Sequence, residues 1–84
     1  MTILTNKQSD VLQLLIKQKS EHELGKAIKG SMTATDIGLA MGKEYKQASS
    51  HVTAPLKKLI SLGMVIQLDD RSYQVDEKTF LELA

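Results

Sequence analysis

Apolar residues recur at helical spacing along most of the chain and alternate only near its end. Val11, Leu12, Leu15 and Ile16 make one helical stripe, and Thr5 and Gln8 precede it at the spacing of a capping box. This predicts a helix over residues 6–19. Ser20 and Glu23 repeat the capping spacing ahead of Leu24, Ala27 and Ile28, which predicts a short second helical piece before Gly30, weakened by Gly25. Thr33 and Asp36 then open a helix of about two turns, with Ile37 and Met41 inward and Gly42 at the left-handed C-cap position. Gly38 lowers the helix propensity there but lets a neighbouring backbone come close.

The longest pattern is YKQASSHVTAPLKKLISLGMV, residues 45–65. Tyr45, Ala48, Val52, Leu56 and Leu59 fall on one side of a helix, and Lys46, Gln47, Ser50, Thr53, Ala54, Lys57 and Ser61 on the other. No acid occurs in the run, so its outer face is polar and cationic. Gly63 ends it, and Pro55, which removes one backbone donor, predicts a kink or local break. Residues 64–68 and 72–76 then read as a hairpin, with Ile66 and Leu68 alternating against Tyr73 and Val75 around a polar DDRS turn. Asp76 caps a last short helix carrying Phe80, Leu81 and Leu83, expected to dock on the first helix or to pair with another subunit.

The elements add up to an α+β chain, mainly helical, and 84 residues make one domain, 1–84. A hydrophobic share of 42% with 25% charged is ordinary for a soluble globular protein, and no apolar run is long enough to span a membrane. No secretory leader is visible, and with no cysteine there is neither a disulfide framework nor a thiolate zinc site. These features favour an intracellular, cytoplasmic protein. GKAIKGS, residues 25–31, has two glycines but no lysine after the second and no strand before the first, so it is not a phosphate loop. Ser49 and Ser50 beside His51 point in different directions on a helix, with no acid near. No catalytic residue, metal, cofactor or small-molecule ligand is therefore expected, and the chain is not read as an enzyme.

Charge changes the picture more than composition does. The net charge is only +1, yet residues 26–58 hold Lys26, Lys29, Lys43, Lys46, Lys57 and Lys58 against Asp36 and Glu44 alone. Residues 69–84 hold Asp69, Asp70, Asp76, Glu77 and Glu82 against Arg71 and Lys78. On an isolated helix a lysine-bearing face is ordinarily just solvated surface. Here it comes with a short capped helix before it and a hairpin after it.

In that order TATDIGLAMG resembles the second helix of multiple-antibiotic-resistance (MarR-like) and related bacterial winged helix-turn-helix regulators, and SSHVTAPLKKLISLGMV resembles their recognition helix and the start of the wing. The resemblance covers residues 33–73. Between Gly42 and Val52 this chain is longer than the family pattern, KEYKQ being the extra material, which predicts a remodelled turn or first turn of the recognition helix. The wing is short and its tip acidic.

The resemblance implies a winged helix-turn-helix with a short two-stranded wing and a short C-terminal helix, binding double-stranded DNA with its third helix in the major groove. Gln47, Ser50, His51, Thr53 and Ala54 would then approach base edges. Lys43, Lys46, Lys57 and Lys58 would meet phosphates, Thr33 and Thr35 with the amides of the second helix one more phosphate, and Arg71 the backbone or minor groove at the wing tip. Side-chain chemistry agrees: Gln pairs with adenine, hydroxyls donate or accept, and an Ala or Thr methyl meets thymine. Lysine, a flexible point charge, suits phosphate. A few such contacts, each worth about −0.9 in salt slope, are thin for one small module, so a homodimer on half-sites about 34 Å apart is expected. The first and last helices, with Leu39 as a second patch, are its candidate surfaces. The expected role is a small prokaryotic or phage transcriptional regulator. Two other readings stay open: a winged-helix protein-interaction module contacting a polymerase or replication factor, and a DNA-binding replication or plasmid-maintenance factor.

Overall fold

Thr5 and Thr33 each start a helix by the same reciprocal pair of bonds. In the computed structural model, which describes residues 3–83, the Gln8 amide donates to Thr5 Oγ1 at 3.2 Å and the Thr5 amide to Gln8 Oε1 at 3.0 Å. This box opens α1, Asn6–Glu23. The Asp36 amide donates to Thr33 Oγ1 at 3.1 Å and the Thr33 amide to Asp36 Oδ2 at 3.3 Å, opening α2, Ala34–Ala40.

The first helix runs a turn beyond residue 19, and the second helical piece predicted after Ser20 does not form. Ser20 lies inside α1 and its carbonyl accepts from the Leu24 amide at 3.0 Å, while Lys17–Glu21 and Lys19–Glu23 pairs at 4.0 and 3.7 Å support that extra turn. Gly25, at φ 78°, ends the helix in the left-handed region. The loop that follows is tied back to α1, with Gln18 Nε2 donating to the Lys29 carbonyl at 2.8 Å and His22 Nδ1 lying 3.1 Å from the Ala27 carbonyl.

After the loop come β1, Met32–Thr33, then α2, α3, Tyr45–Ser61, β2, Val65–Gln67, β3, Ser72–Val75, and α4, Glu77–Leu83. Among the described residues these make a small, mainly helical α+β fold with four helices and one antiparallel sheet of order β1-β3-β2. At two residues, β1 is too short to leave a periodic signal. The hairpin forms as expected, but its inward positions differ from the prediction. Val65 stands opposite Val75 and both are buried, whereas Ile66, opposite Gln74, is 43% exposed. Because side chains alternate, shifting the inward set by one residue sends Ile66 to solvent.

The core joins the α1 stripe to Ile37, to Val52, Leu56 and Leu59 of α3, to the Val65–Val75 pair and to Phe80. The final helix packs on the chain's own core beside α1. Phe80 is buried, and the Lys19 ammonium lies 5.3 Å from its ring centroid.

Candidate nucleic-acid interface

Ala40 and Tyr45 are separated by a short turn of residues 41–44. Gly42 takes φ 86°, and the Lys43 amide donates to the Gly38 carbonyl at 3.1 Å, which turns the chain sharply. Gly38 then lies against the Ala48 backbone, so close that a Cβ at residue 38 would overlap the Ala48 carbonyl. The close approach expected of this glycine therefore fixes α2 to α3. The KEYKQ stretch leaves the connection short: its last three residues begin α3, which reaches 17 residues.

Two expectations about α3 need correction. Of the kink or break expected at Pro55, no break forms, and the helix continues to Ser61. Proline frees only the carbonyl four residues back, that of His51, and the buried ring packs with the inner face. Tyr45, assigned to that inner face, is 75% exposed, because at the first position of the helix it stands beyond the reach of the core. Ala48, Val52, Leu56 and Leu59 are buried as expected.

On the opposite side Gln47, Ser50, Thr53 and Ala54 are exposed and His51 is half-buried. Gln47, Ser50, Ala54 and Ser61 follow at steps that keep them on one face. Ser50 Oγ donates to the Gln47 carbonyl at 3.0 Å and Thr53 Oγ1 to the Ser49 carbonyl at 2.8 Å. With their protons so engaged, both hydroxyls present acceptor lone pairs outward.

Lys43, Lys46, Lys57 and Lys58 are exposed. Among the described residues the ion pairs are Lys17–Glu21, Lys19–Glu23 and Lys29–Asp70, none of which involves these four lysines. Glu44 at the N-cap is the acid adjoining the face, and it makes no capping bond. The face thus keeps its positive charge uncompensated on the outer side.

The other predicted contacts are differently placed. Thr33 and Thr35 are half-buried at the start of α2, and Thr33 Oγ1 is already the helix cap, with the Asp36 carboxylate on the Thr33 amide. That carboxylate disfavours a phosphate at the same amides. Arg71 is exposed and takes φ 67°, a left-handed conformation in a turn closed by its amide donating to the Leu68 carbonyl at 3.0 Å. A non-glycine residue there is strained. Beside it, Asp70 accepts from the Ser72 hydroxyl, from the Ser72 amide at 3.0 Å, and pairs with Lys29 at 3.6 Å. The Ser72 bonds, then Lys29, hold its carboxyl below the usual range.

Sequence reasoning missed Lys7. Partial burial, then the charges of Lys7 and Lys43, lower the His51 imidazole from its ordinary value, which puts the first turn of α1 within electrostatic reach of α3. The sequence shows a first helical turn without an acid, where the helix dipole favours one, but not that this turn comes near α3, which depends on how α1 packs. Exposed Tyr45, beside Lys43 and Lys46, is the second addition.

A groove of about 510 Å³ lined by Asp10, Gln13, Leu14, Lys17, Ala40 and Met41 includes none of these residues. No group of three His, Asp or Glu among the described residues is placed to hold a metal ion, and no described helix is long and apolar enough to cross a membrane. No family model, curated protein or solved structure matches the chain.

Proposed function

We propose that the protein is a winged helix-turn-helix module that binds double-stranded DNA and acts as a small cytoplasmic transcriptional regulator without a cofactor. The observation that carries this reading is the outer face of α3: acid-free, exposed, with lysines outside any described ion pair, and held against α2 at the Gly38–Ala48 contact. The order α1-β1-α2-α3-β2-β3, with β1 on the sheet, supports the same reading. Gln47, Ser50, Thr53, Ala54 and His51 read base edges, and Lys43, Lys46, Lys57 and Lys58 hold the backbone. Exposed Leu81 and Leu83 on α4, with Leu39 on α2, offer apolar surface for a homodimer. The apolar stripe of α1, by contrast, is used up in the chain's own core.

Anisotropy titration of a random-sequence duplex at several salt concentrations tests the reading. The wild type binds with a steep salt dependence, and Lys57→Ala with Lys58→Ala flattens the slope by about two. A duplex that fails to bind at low salt, or a slope untouched by both changes, removes α3 from the interface. The same apolar residues, Leu39, Leu81 and Leu83, favour the second reading, a module contacting a polymerase or replication factor. Under that reading random duplex does not bind.

A further inference from the structure

We propose that α1 pairs antiparallel with α1 of a second copy of this chain, each helix lying in the other copy's groove between α1 and the end of α2. The inference goes beyond the DNA-binding reading and does not depend on it, since self-association is read without DNA.

Asp10, Gln13, Leu14 and Lys17 recur at steps of three, one and three, which makes two turns of one face of α1 outside its buried stripe. These four line the groove of about 510 Å³ together with Ala40 and Met41. Asp10, Gln13, Lys17 and Ala40 are exposed, while Leu14 and Met41 pack half-buried against the core and give the groove an apolar floor. Among the described residues no buried side-chain nitrogen or oxygen lacks a partner, so the groove holds no polar group waiting on a small ligand.

The order of charges selects a second copy. The face is symmetric in spacing about a point between Gln13 and Leu14, and its two ends carry opposite charge. A twofold axis through that point brings Asp10 to the partner's Lys17 and Lys17 to the partner's Asp10, two ion pairs about 10 Å apart along the helix. Parallel pairing would instead set like charges together. Asp10 is in no ion pair among the described residues. Lys17 reaches Glu21 only at 4.0 Å with most of its side chain exposed, which leaves ammonium donors for a second carboxylate. On α4, by contrast, Leu81 and Leu83 stand two residues apart on a seven-residue helix, so they point to different sides and form no single stripe.

Sedimentation equilibrium of the full chain without DNA, from about 5 μM to 1 mM, tests the pairing across the range of weak to moderate dimers. Wild type dimerises, and added salt weakens the dimer. Asp10→Lys leaves two cations on each face and Lys17→Glu two acids, so each variant alone self-associates at least about tenfold more weakly. An equimolar mixture of the two variants associates as wild type does, because the cations of one meet the acids of the other, and that recovery also shows both variants to be folded. Leu81→Ser with Leu83→Ser leaves the wild-type value unchanged. A wild type that stays monomeric, single reversals that associate as wild type does, or a mixture that fails to recover overturns the pairing. So does a loss of association seen only in the α4 double variant. Duplex titration of the same samples is a separate readout: failure to bind DNA ends the DNA-binding reading and leaves this contact standing, and a monomer that binds duplex does the reverse.

Discussion

The outer face of α3 and the tip of the β2–β3 hairpin both carry cations, but at the tip they stand among carboxylates. Lys46, Lys57 and Lys58 on α3, with Lys43 in the turn before it, are outside the described ion pairs, and a tight crossing with α2 fixes the helix. At the tip, Asp70 is bound by Ser72 and by Lys29, Asp69 is exposed beside it, and Arg71 sits in a strained turn. Net charge of +1 conceals this division, because the acids lie on α1, in the hairpin, on α4 and in caps, with none inside α3. What a polyanion would meet depends on where the unpaired cations stand more than on how many there are.

The contrast can be broken most severely at the crossing that makes α3 rigid. Gly38→Ala places a Cβ on the Ala48 backbone, and both helices must shift, at a cost of about 2–3 kcal/mol in urea or thermal unfolding. A smaller loss would mean that the two helices are not locked there. Gln47→Ala comes next. It removes a side chain able to pair with adenine and leaves the fold intact, so discrimination at one base pair falls by about 1–3 kcal/mol while random-duplex affinity holds. Selection of preferred sites from a random pool, compared with wild type, reads this out.

At the hairpin the expected effects are smaller and of mixed sign. Arg71→Gly relieves the left-handed strain and stabilises the fold by about 0.5–1 kcal/mol, while the salt slope for duplex drops by about one. A loss of stability would show that the Arg71 side chain supports the turn. Asp70→Asn keeps the acceptor for the Ser72 amide and removes the charge facing Lys29, so stability changes little at neutral pH. The wild-type carboxyl is lowered, so its contribution is present above the unfolded value of about 3.9 and is lost as pH falls through the folded one. Comparing the acid limb of thermal unfolding in wild type and Asp70→Asn checks the sign.

Features set by local chemistry were legible in the sequence. Thr5 with Gln8 and Thr33 with Asp36 form both capping boxes, Gly42 and Gly63 take the left-handed caps, and Gly38 permits the close approach. The misreadings occurred where tertiary context decides. Ser20 with Glu23 has the spacing of a cap but lies within a helix that keeps its own hydrogen bonds. Tyr45 fits the inner stripe by periodicity, yet the core ends before it. Strand β1 exists only through its pairing with β3, Met32 opposite Tyr73 and Thr33 opposite Ser72. Of the candidate interface, the α3 face was readable because one helix carries it. Lys7 was not, since it approaches His51 only when α1 packs on α3.

The most direct test of the outer α3 face is an amide chemical-shift titration of the labelled protein with duplex DNA. We expect the largest changes at Lys43, Lys46, Gln47, Ser50, His51, Ala54 and Lys58, with little change at Leu81 and Leu83. Changes concentrated on α4 and Leu39, with the α3 face silent, would contradict the account.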